Sequence, residues 1–122
     1  MLSSLKTQWP FFNAEQREIK RIERIPRYNY FKTKLLGKEI TAIDSASFLV
    51  MQDEIFKKEI YKLNTVNACP RIIDVGANIG ISTLYFKLQY PNSKITAFEP
   101  DPKAFEALRN NILNSYGFDD VE

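Results

Sequence analysis

The stretch that decides the fold is Ile72-Ile73-Asp74-Val75-Gly76-Ala77-Asn78-Ile79-Gly80, followed by Ile95-Thr96-Ala97-Phe98-Glu99-Pro100. The first stretch begins with the residues of a short buried strand, and its two glycines favour a tight turn before a helix. The second stretch predicts another strand, which ends in a carboxylate. The order of strand, glycine turn, helix, strand and acid is typical of a nucleotide pocket, because the turn lets a ligand approach the backbone and the acid reaches a ribose diol.

Helix and strand patterns extend on both sides of this core. The run Ile72, Ile73 and Val75 predicts a parallel strand buried on both faces. A helix from about Ile79 to Tyr90 and a strand over Lys94–Phe98 follow. Asp101 and Pro102 have the residue types that begin a helix, here predicted over 102–114, and Gly117 is a stop signal. The final Val121-Glu122 reads as the start of a third strand.

The preceding residues predict a different set of elements. Residues 13–25 read as a helix, residues 28–43 as a β-hairpin around Gly37, and Phe48–Leu63 as a second helix for which Asp44 or Ser45 is the cap. We therefore expect an α/β chain with an N-terminal extension over 1–68 and the first half of a nucleotide-binding domain over 69–122.

Composition excludes several classes of function. The net charge of +2 is too small to indicate nucleic-acid binding, and the aromatic residues near Arg27 are explained by hairpin packing. The chain has one cysteine and no histidine. It therefore lacks the second residue that an intrachain disulfide, a zinc site or a Cys/His nucleophile needs. No apolar run is long enough for a membrane span, and no signal peptide precedes the first helix. The sequence thus predicts a cytoplasmic protein with no metal and no membrane partner.

The spacing of the turn distinguishes two nucleotide cofactors. The dinucleotide fingerprint G-x-G-x-x-G, counted from Gly76, needs glycines where this chain has Asn78 and Ile81. S-adenosylmethionine has no pyrophosphate, and its α-ammonium is matched by a carboxylate beside the turn, where Asp74 stands. The pattern therefore favours S-adenosylmethionine over a nicotinamide cofactor.

Three polar residues near the turn have alternative roles. Glu99 follows the second strand, where an ionised carboxylate can accept both hydroxyls of a ribose, and the alternative is that it only caps a turn before Pro100. Asp101 reads mainly as the N-cap of the following helix, with a cofactor contact as the alternative. Asn78 either turns its amide toward the cofactor or caps the helix after the turn.

The motifs resemble those of the FkbM family of methyltransferases, a class I, Rossmann-like group. The resemblance runs from about residue 35 to 114 and rests on Asp44-Ser45-Ala46-Ser47-Phe48, Glu54-Ile55-Phe56 with Tyr61, Pro70 through Gly80, and Ala97-Phe98-Glu99-Pro100-Asp101-Pro102. It implies a partial Rossmann-like fold comprising the first β-α-β-α units, preceded by a helix, a hairpin and a helix.

The resemblance also implies a function. It implies S-adenosylmethionine binding by residues in and around the turn, and methyl transfer to an oxygen of a small molecule or sugar. The residues are Asp74, Gly76, Ala77, Asn78, Gly80, Glu99, Pro100 and Asp101. Glu54 and Tyr61 could cover the amino-acid end of the cofactor, although helix surface and packing explain them as well. No residue is assigned as the catalytic base.

Members of this family continue well past the point where this chain ends. We therefore expect an incomplete sheet with one flank uncovered and an unpaired edge, through which the chain could self-associate unless the hairpin covers it. The alternative to an active methyltransferase is a truncated, non-catalytic remnant or interaction fragment.

Overall fold

The computed structural model describes residues 12–122, with side chains from residue 14 onward. The elements are α1 (Phe12–Glu23), β1 (Phe31–Leu35), β2 (Lys38–Ala42), α2 (Ser45–Met51), β3 (Arg71–Val75), α3 (Ile81–Gln89), β4 (Lys94–Phe98) and α4 (Pro102–Arg109). Two helices widen at their ends into π-helical segments, Gln52–Lys57 after α2 and Asn110–Ser115 after α4. The chain is thus α/β, as its sequence predicts.

The N-terminal part is built around the predicted hairpin. β1 and β2 pair antiparallel from Phe31↔Ala42 to Leu35↔Lys38. The two-residue connection places Leu36 at φ 49° and Gly37 at φ 80°, and positive φ at both central positions matches the twist of a hairpin. One face of β1 is buried, which is the alternation expected of a strand packed on one side.

Helix α2 has the predicted cap, but it begins at Ser45, before the predicted Phe48, and it ends earlier than predicted. The Asp44 carboxylate accepts a hydrogen bond from the Ser47 backbone N–H and caps the first turn. The predicted continuation to Leu63 is wrong: the Lys58 N–H closes the π-helical segment on the Asp53 carbonyl, and Glu59 then takes a left-handed φ of 51°. Leu63 still packs against the core, but from an irregular segment. Apolar spacing alone does not distinguish a continuing helix from an irregular segment that packs against the same core.

The second part is a β-α-β-α unit. β3 and β4 pair in parallel from Arg71↔Lys94 to Val75↔Phe98, and α3 connects them. Val121 forms a parallel bridge with Ile95 on β4, which agrees with the predicted start of a third strand. Nearby, the buried Lys87 Nζ lies 2.6 Å from the Asp120 carboxylate.

The β3–β4 sheet is covered on one face only. Ile73 is 70% exposed, Val75 79% and Phe98 54%, and these residues share the outer face of the sheet. The prediction that β3 is buried on both faces is therefore wrong, because the packed elements of residues 12–122 cover the opposite face. Within that range no strand pairs with the outer edge of β3, and the hairpin forms a separate sheet. These features agree with the predicted open flank.

One hydrophobic core joins the N-terminal part to the second part. It includes Ile22, Leu35 and Phe48 from the first, and Ile79 and Leu84 from the second. The Tyr116 hydroxyl also donates a hydrogen bond to the Leu35 carbonyl. The hairpin therefore packs close to the turn that follows β3.

The fully buried Asn111 strengthens this connection. Its Oδ1 accepts from the Thr41 N–H at 2.8 Å, and its Nδ2 donates to the carbonyls of Thr41 and Ile79, each at 2.9 Å. The side-chain amide thus pairs with the backbone of β2 as a neighbouring strand would, and it holds one carbonyl of the glycine turn at the same time.

Candidate functional site

The glycine turn folds tightly over the end of β4. The Gly76 and Ala77 N–H groups both donate to the Phe98 carbonyl, at 2.9 and 3.0 Å. Gly76, Asn78 and Gly80 take positive φ values of 76°, 53° and 94°. A Cβ added to Gly80 would lie 3.4 Å from Ile112, so a second helix packs directly against this position. The predicted turn residues are therefore brought together, with Ala77 buried and Pro100 exposed at the end of β4.

Asp74, near the end of β3, contacts the first turn of α3. Its Oδ2 accepts hydrogen bonds from the Ser82 hydroxyl at 2.7 Å and the Thr83 hydroxyl at 2.8 Å. The carboxylate thus fastens the end of β3 to the first turn of α3. Neither hydroxyl partner is among the residues predicted for the site, although two adjacent hydroxyl residues in a first helical turn are a recognisable signal.

Glu99 connects the turn to the start of α4. Its Oε1 accepts from the Asn78 N–H at 3.2 Å, and its Oε2 accepts from the Asp101 N–H at 3.3 Å. Asp74 pairs in register with Ala97, two residues before Glu99, so the two acids lie on the same face of the sheet. Both carboxylates therefore contact the segment from Asn78 to Thr83.

The capping role predicted for Asp101 is found in the structure, whereas the capping role considered for Asn78 is not. Asp101 is the N-cap of α4, where its Oδ1 accepts from the Lys103 N–H at 3.0 Å. Asn78 does not cap α3, because Gly80 occupies the N-cap position. The capping alternative for Asn78 is thus wrong, while Asp101 caps as predicted.

A cleft of about 200 Å³ opens beside the turn. Asn78, Ile79 and Asp101 form one wall of the cleft. The opposite wall comes from the N-terminal part, through Tyr28, Ile43, Asp44, Ser47 and Met51. We call this space the turn cleft. The sequence analysis identified Asp44 only as a helix cap and did not place these N-terminal residues at the site.

Asp44 organises the N-terminal wall of the turn cleft. Its carboxylate accepts two hydrogen bonds from Arg27, at 3.1 and 2.7 Å, and others from the Tyr28 N–H at 3.0 Å and from Ser47. The Arg27 guanidinium, with further help from Ser47 and Tyr28, holds the pKa of Asp44 well below its usual range. Tyr28 takes a left-handed φ of 63°, and the Arg27 guanidinium stacks 4.9 Å from its ring centroid.

Glu54 and Tyr61 lie outside the lining of the turn cleft. Glu54 is exposed in the π-helical segment. The Tyr61 ring stacks on Phe86, with centroids 6.0 Å apart, alongside the half of α3 that is far from the turn. This contact favours the packing interpretation of Tyr61, and a cofactor role for either residue stays a prediction.

Two features are absent from residues 12–122. In this range no helix is both long and apolar enough to cross a membrane. The same residues contain no group of three or more His, Cys, Asp or Glu side chains with the geometry to hold a metal ion.

Known proteins provide an independent comparison. No protein-family model matches the chain. It is 39% identical over 71 residues to methyltransferase sdnD of Sordaria araneosa, covering 58% of this chain and 27% of that protein. It is 35% identical over 79 residues to 31-O-demethyl-FK506 methyltransferase FkbM of Streptomyces tacrolimicus, covering 63% of this chain and 30% of that protein.

A solved structure, the SAM-dependent methyltransferase from Agrobacterium tumefaciens, aligns with 81% of this chain and 33% of that one, with a TM-score of 0.49 and 11% identity. The present chain thus spans less than a third of the length of the two curated relatives named above. Over this partial length, the chain is similar to methyltransferases that include FkbM, in agreement with the family that its motifs predict.

Proposed function

We propose that this chain forms the cofactor-binding half of an S-adenosylmethionine-dependent methyltransferase. The observation that carries the proposal is the position of Glu99, which connects the glycine turn to the start of α4. This arrangement sets a carboxylate beside a turn whose backbone a ligand can approach. A ribose bound there would present two hydroxyl donors to one acceptor group.

The hydrogen bonds of Glu99 leave room for this ligand. An ionised carboxylate has about four acceptor positions, two on each oxygen. In the structure each oxygen accepts one backbone N–H, from Asn78 or Asp101. Each oxygen therefore keeps an acceptor position for one ribose hydroxyl, while the backbone donors fix the orientation of the carboxylate.

The turn itself supports this cofactor over a dinucleotide. A pyrophosphate needs bare backbone at the second and third glycine positions of the fingerprint, for close approach and for helix packing. Here the side chain of Asn78 occupies the second position, and the fully buried Ile81 occupies the third. A nicotinamide-dependent oxidoreductase is therefore a poor alternative.

Asp74 has a structural role to which we add a binding role. Its Oδ2 is engaged by Ser82 and Thr83, so we assign the other oxygen, Oδ1, to the α-ammonium of the cofactor. We also propose that the cofactor lies close to the backbone of Gly76, Ala77, Asn78 and Gly80. Pro100 and Asp101 would then contact it beyond the ribose.

For the reaction we propose O-methylation of a small molecule or a sugar hydroxyl. When bound, S-adenosylmethionine supplies an electrophilic methyl group. The described residues would hold and orient the cofactor, so that an acceptor hydroxyl oxygen attacks the methyl carbon in line with the sulfur–carbon bond. That bond would break and release S-adenosylhomocysteine, and the hydroxyl proton would pass to a base. Burial raises the pKa of Tyr85 to about 12, so this core tyrosine is not suited to be that base at neutral pH.

The proposal is tested by calorimetry with S-adenosylhomocysteine on the 122-residue chain. We expect Glu99→Ala to weaken binding by roughly a hundredfold, since two hydrogen bonds to a charged group are lost. Glu106→Ala is the matched control, because Glu106 is an exposed acid on α4 and its loss changes the net charge equally. Unchanged affinity in both Asp74→Ala and Glu99→Ala would show that the site is wrongly assigned.

A second candidate is a non-catalytic fragment that associates through its sheet. The exposed Ile73, Val75 and Phe98 favour it, because an apolar sheet face beside an unpaired edge promotes contact with another chain. Methyl transfer by the purified chain to a panel of hydroxylated small molecules and sugars would exclude this candidate.

A further inference from the structure

The turn cleft brings an N-terminal tyrosine close to the proposed cofactor site. Asn78 and Asp101, on one wall of the cleft, are the two residues whose N–H groups bind Glu99. Tyr28 belongs to the opposite wall. The turn cleft therefore adjoins Glu99 through these two residues, although Glu99 itself is not part of its lining.

The backbone of Tyr28 is held in an unusual conformation. A left-handed φ of 63° is rare for a bulky residue, and such conformations persist where the surrounding structure enforces them, often at ligand sites. Here the enforcing group is Asp44, which accepts the Tyr28 N–H and clamps the neighbouring Arg27. Asn78, on the facing wall, also has a left-handed φ, of 53°.

The charges of the N-terminal wall are already paired. The five hydrogen bonds of Asp44, from Arg27, Tyr28 and Ser47, occupy its carboxylate. The wall therefore offers no free carboxylate to an ammonium group, and its guanidinium is already paired with Asp44. What it offers a ligand is the Tyr28 ring together with the apolar side chains of Ile43 and Met51.

We propose that Tyr28 is a positioning residue that contacts the adenosine half of the bound cofactor. The inference rests on the proposed function and adds an N-terminal wall to its site. A flat aromatic base suits an exposed aromatic ring and an apolar lining, whereas the zwitterionic amino-acid end of the cofactor would need charged partners. Tyr28 is 78% exposed, so its ring is accessible to a ligand on the face that the Arg27 guanidinium does not cover.

The test compares two ligands and two variants by calorimetry. The ligands are S-adenosylhomocysteine and 5′-methylthioadenosine, which keeps the adenosine half and lacks the amino-acid end. Tyr28→Gly removes the ring while favouring the left-handed backbone, so the turn and its hydrogen bond to Asp44 are retained. The control is Tyr30→Ala, which removes an exposed ring two residues away and outside the cleft lining.

We expect Tyr28→Gly to weaken both ligands by the same factor of roughly ten, and Tyr30→Ala to weaken neither. Equal affinities of Tyr28→Gly and the unchanged protein would overturn this inference and leave the proposed function standing. If Tyr28→Gly weakened S-adenosylhomocysteine alone, the contact would lie at the amino-acid end of the cofactor, and this inference would be overturned. An equal loss of affinity in Tyr30→Ala would also overturn it. No binding of either ligand by the unchanged chain would refute the proposed function, and this inference with it.

Discussion

Replacing Asn111 by leucine should destabilise the chain strongly, although leucine is of similar size and apolar. The substitution removes three hydrogen bonds of 2.8 to 2.9 Å from a fully buried side chain. It leaves the Thr41 N–H, the Thr41 carbonyl and the Ile79 carbonyl without their partner. The reason for the loss is therefore the desolvation of backbone groups and not a change of packing volume.

The magnitude follows from these three groups. Each orphaned group costs about 1–3 kcal/mol, and the half-buried position of Thr41 favours the lower end, because water can reach part of it. Added burial of the leucine side chain offsets about 1–2 kcal/mol. We expect a net loss of about 2–3 kcal/mol in the free energy of unfolding, which is a large part of the stability of a domain this size.

Urea unfolding followed by far-UV circular dichroism measures this loss. At an m-value of about 1–3 kcal/mol per molar urea, the midpoint should fall by roughly 1–2 M. Asn114→Leu is the matched control, because Asn114 is exposed and bonds only to Asn110 in the structure, and it should change stability by less than about 0.5 kcal/mol. Equal midpoints for the two variants would refute the claim that Asn111 acts as a strand partner of β2.

Two further predictions concern the N-terminal wall and the open sheet. Because the pKa of Asp44 lies well below its ordinary value, its contribution to stability is complete above about pH 4 and is lost as the pH falls further. Asp44→Asn should therefore lower the free energy of unfolding by about 2 kcal/mol at pH 7 and by progressively less in acid. Urea unfolding at several pH values measures this difference. A difference that does not change with pH would argue against the ion pair with Arg27. On the open face, Phe98→Lys should reduce concentration-dependent self-association in sedimentation velocity, whereas Phe105→Lys, an exposed aromatic on α4, should not. Equal association of the two variants would place the contact elsewhere.

Much of the fold and the first wall of the site could be predicted from the sequence, because both depend on local signals. Gly76 and Gly80 mark the turn, Pro102 marks the helix start, and the predicted strand over Lys94–Phe98 has the bounds found in the structure. Such features are fixed by the backbone preferences of a few neighbouring residues. The same locality explains why Asp101 was correctly assigned as a cap.

The parts that could not be predicted depend on contacts between distant residues. Asp44 reads as a helix cap, and its pairing with Arg27 across 17 positions has no local signature. The exposure of Ile73 and Val75 likewise depends on which layers cover the sheet and not on their own residue types. In the same way, the end of α2 could not be read from apolar spacing, which continues through Leu63 after the helix has stopped.

The amide of Asn111 has a consequence for how the chain meets other copies of itself. By occupying the outward N–H and carbonyl of Thr41, it blocks the outer border of β2 with a single side chain. The border of β3 has no such shield among the described residues, and it adjoins the apolar Ile73 and Val75. We therefore expect any ordered aggregate of this chain to grow from residues 71–75 and not from the outer border of β2.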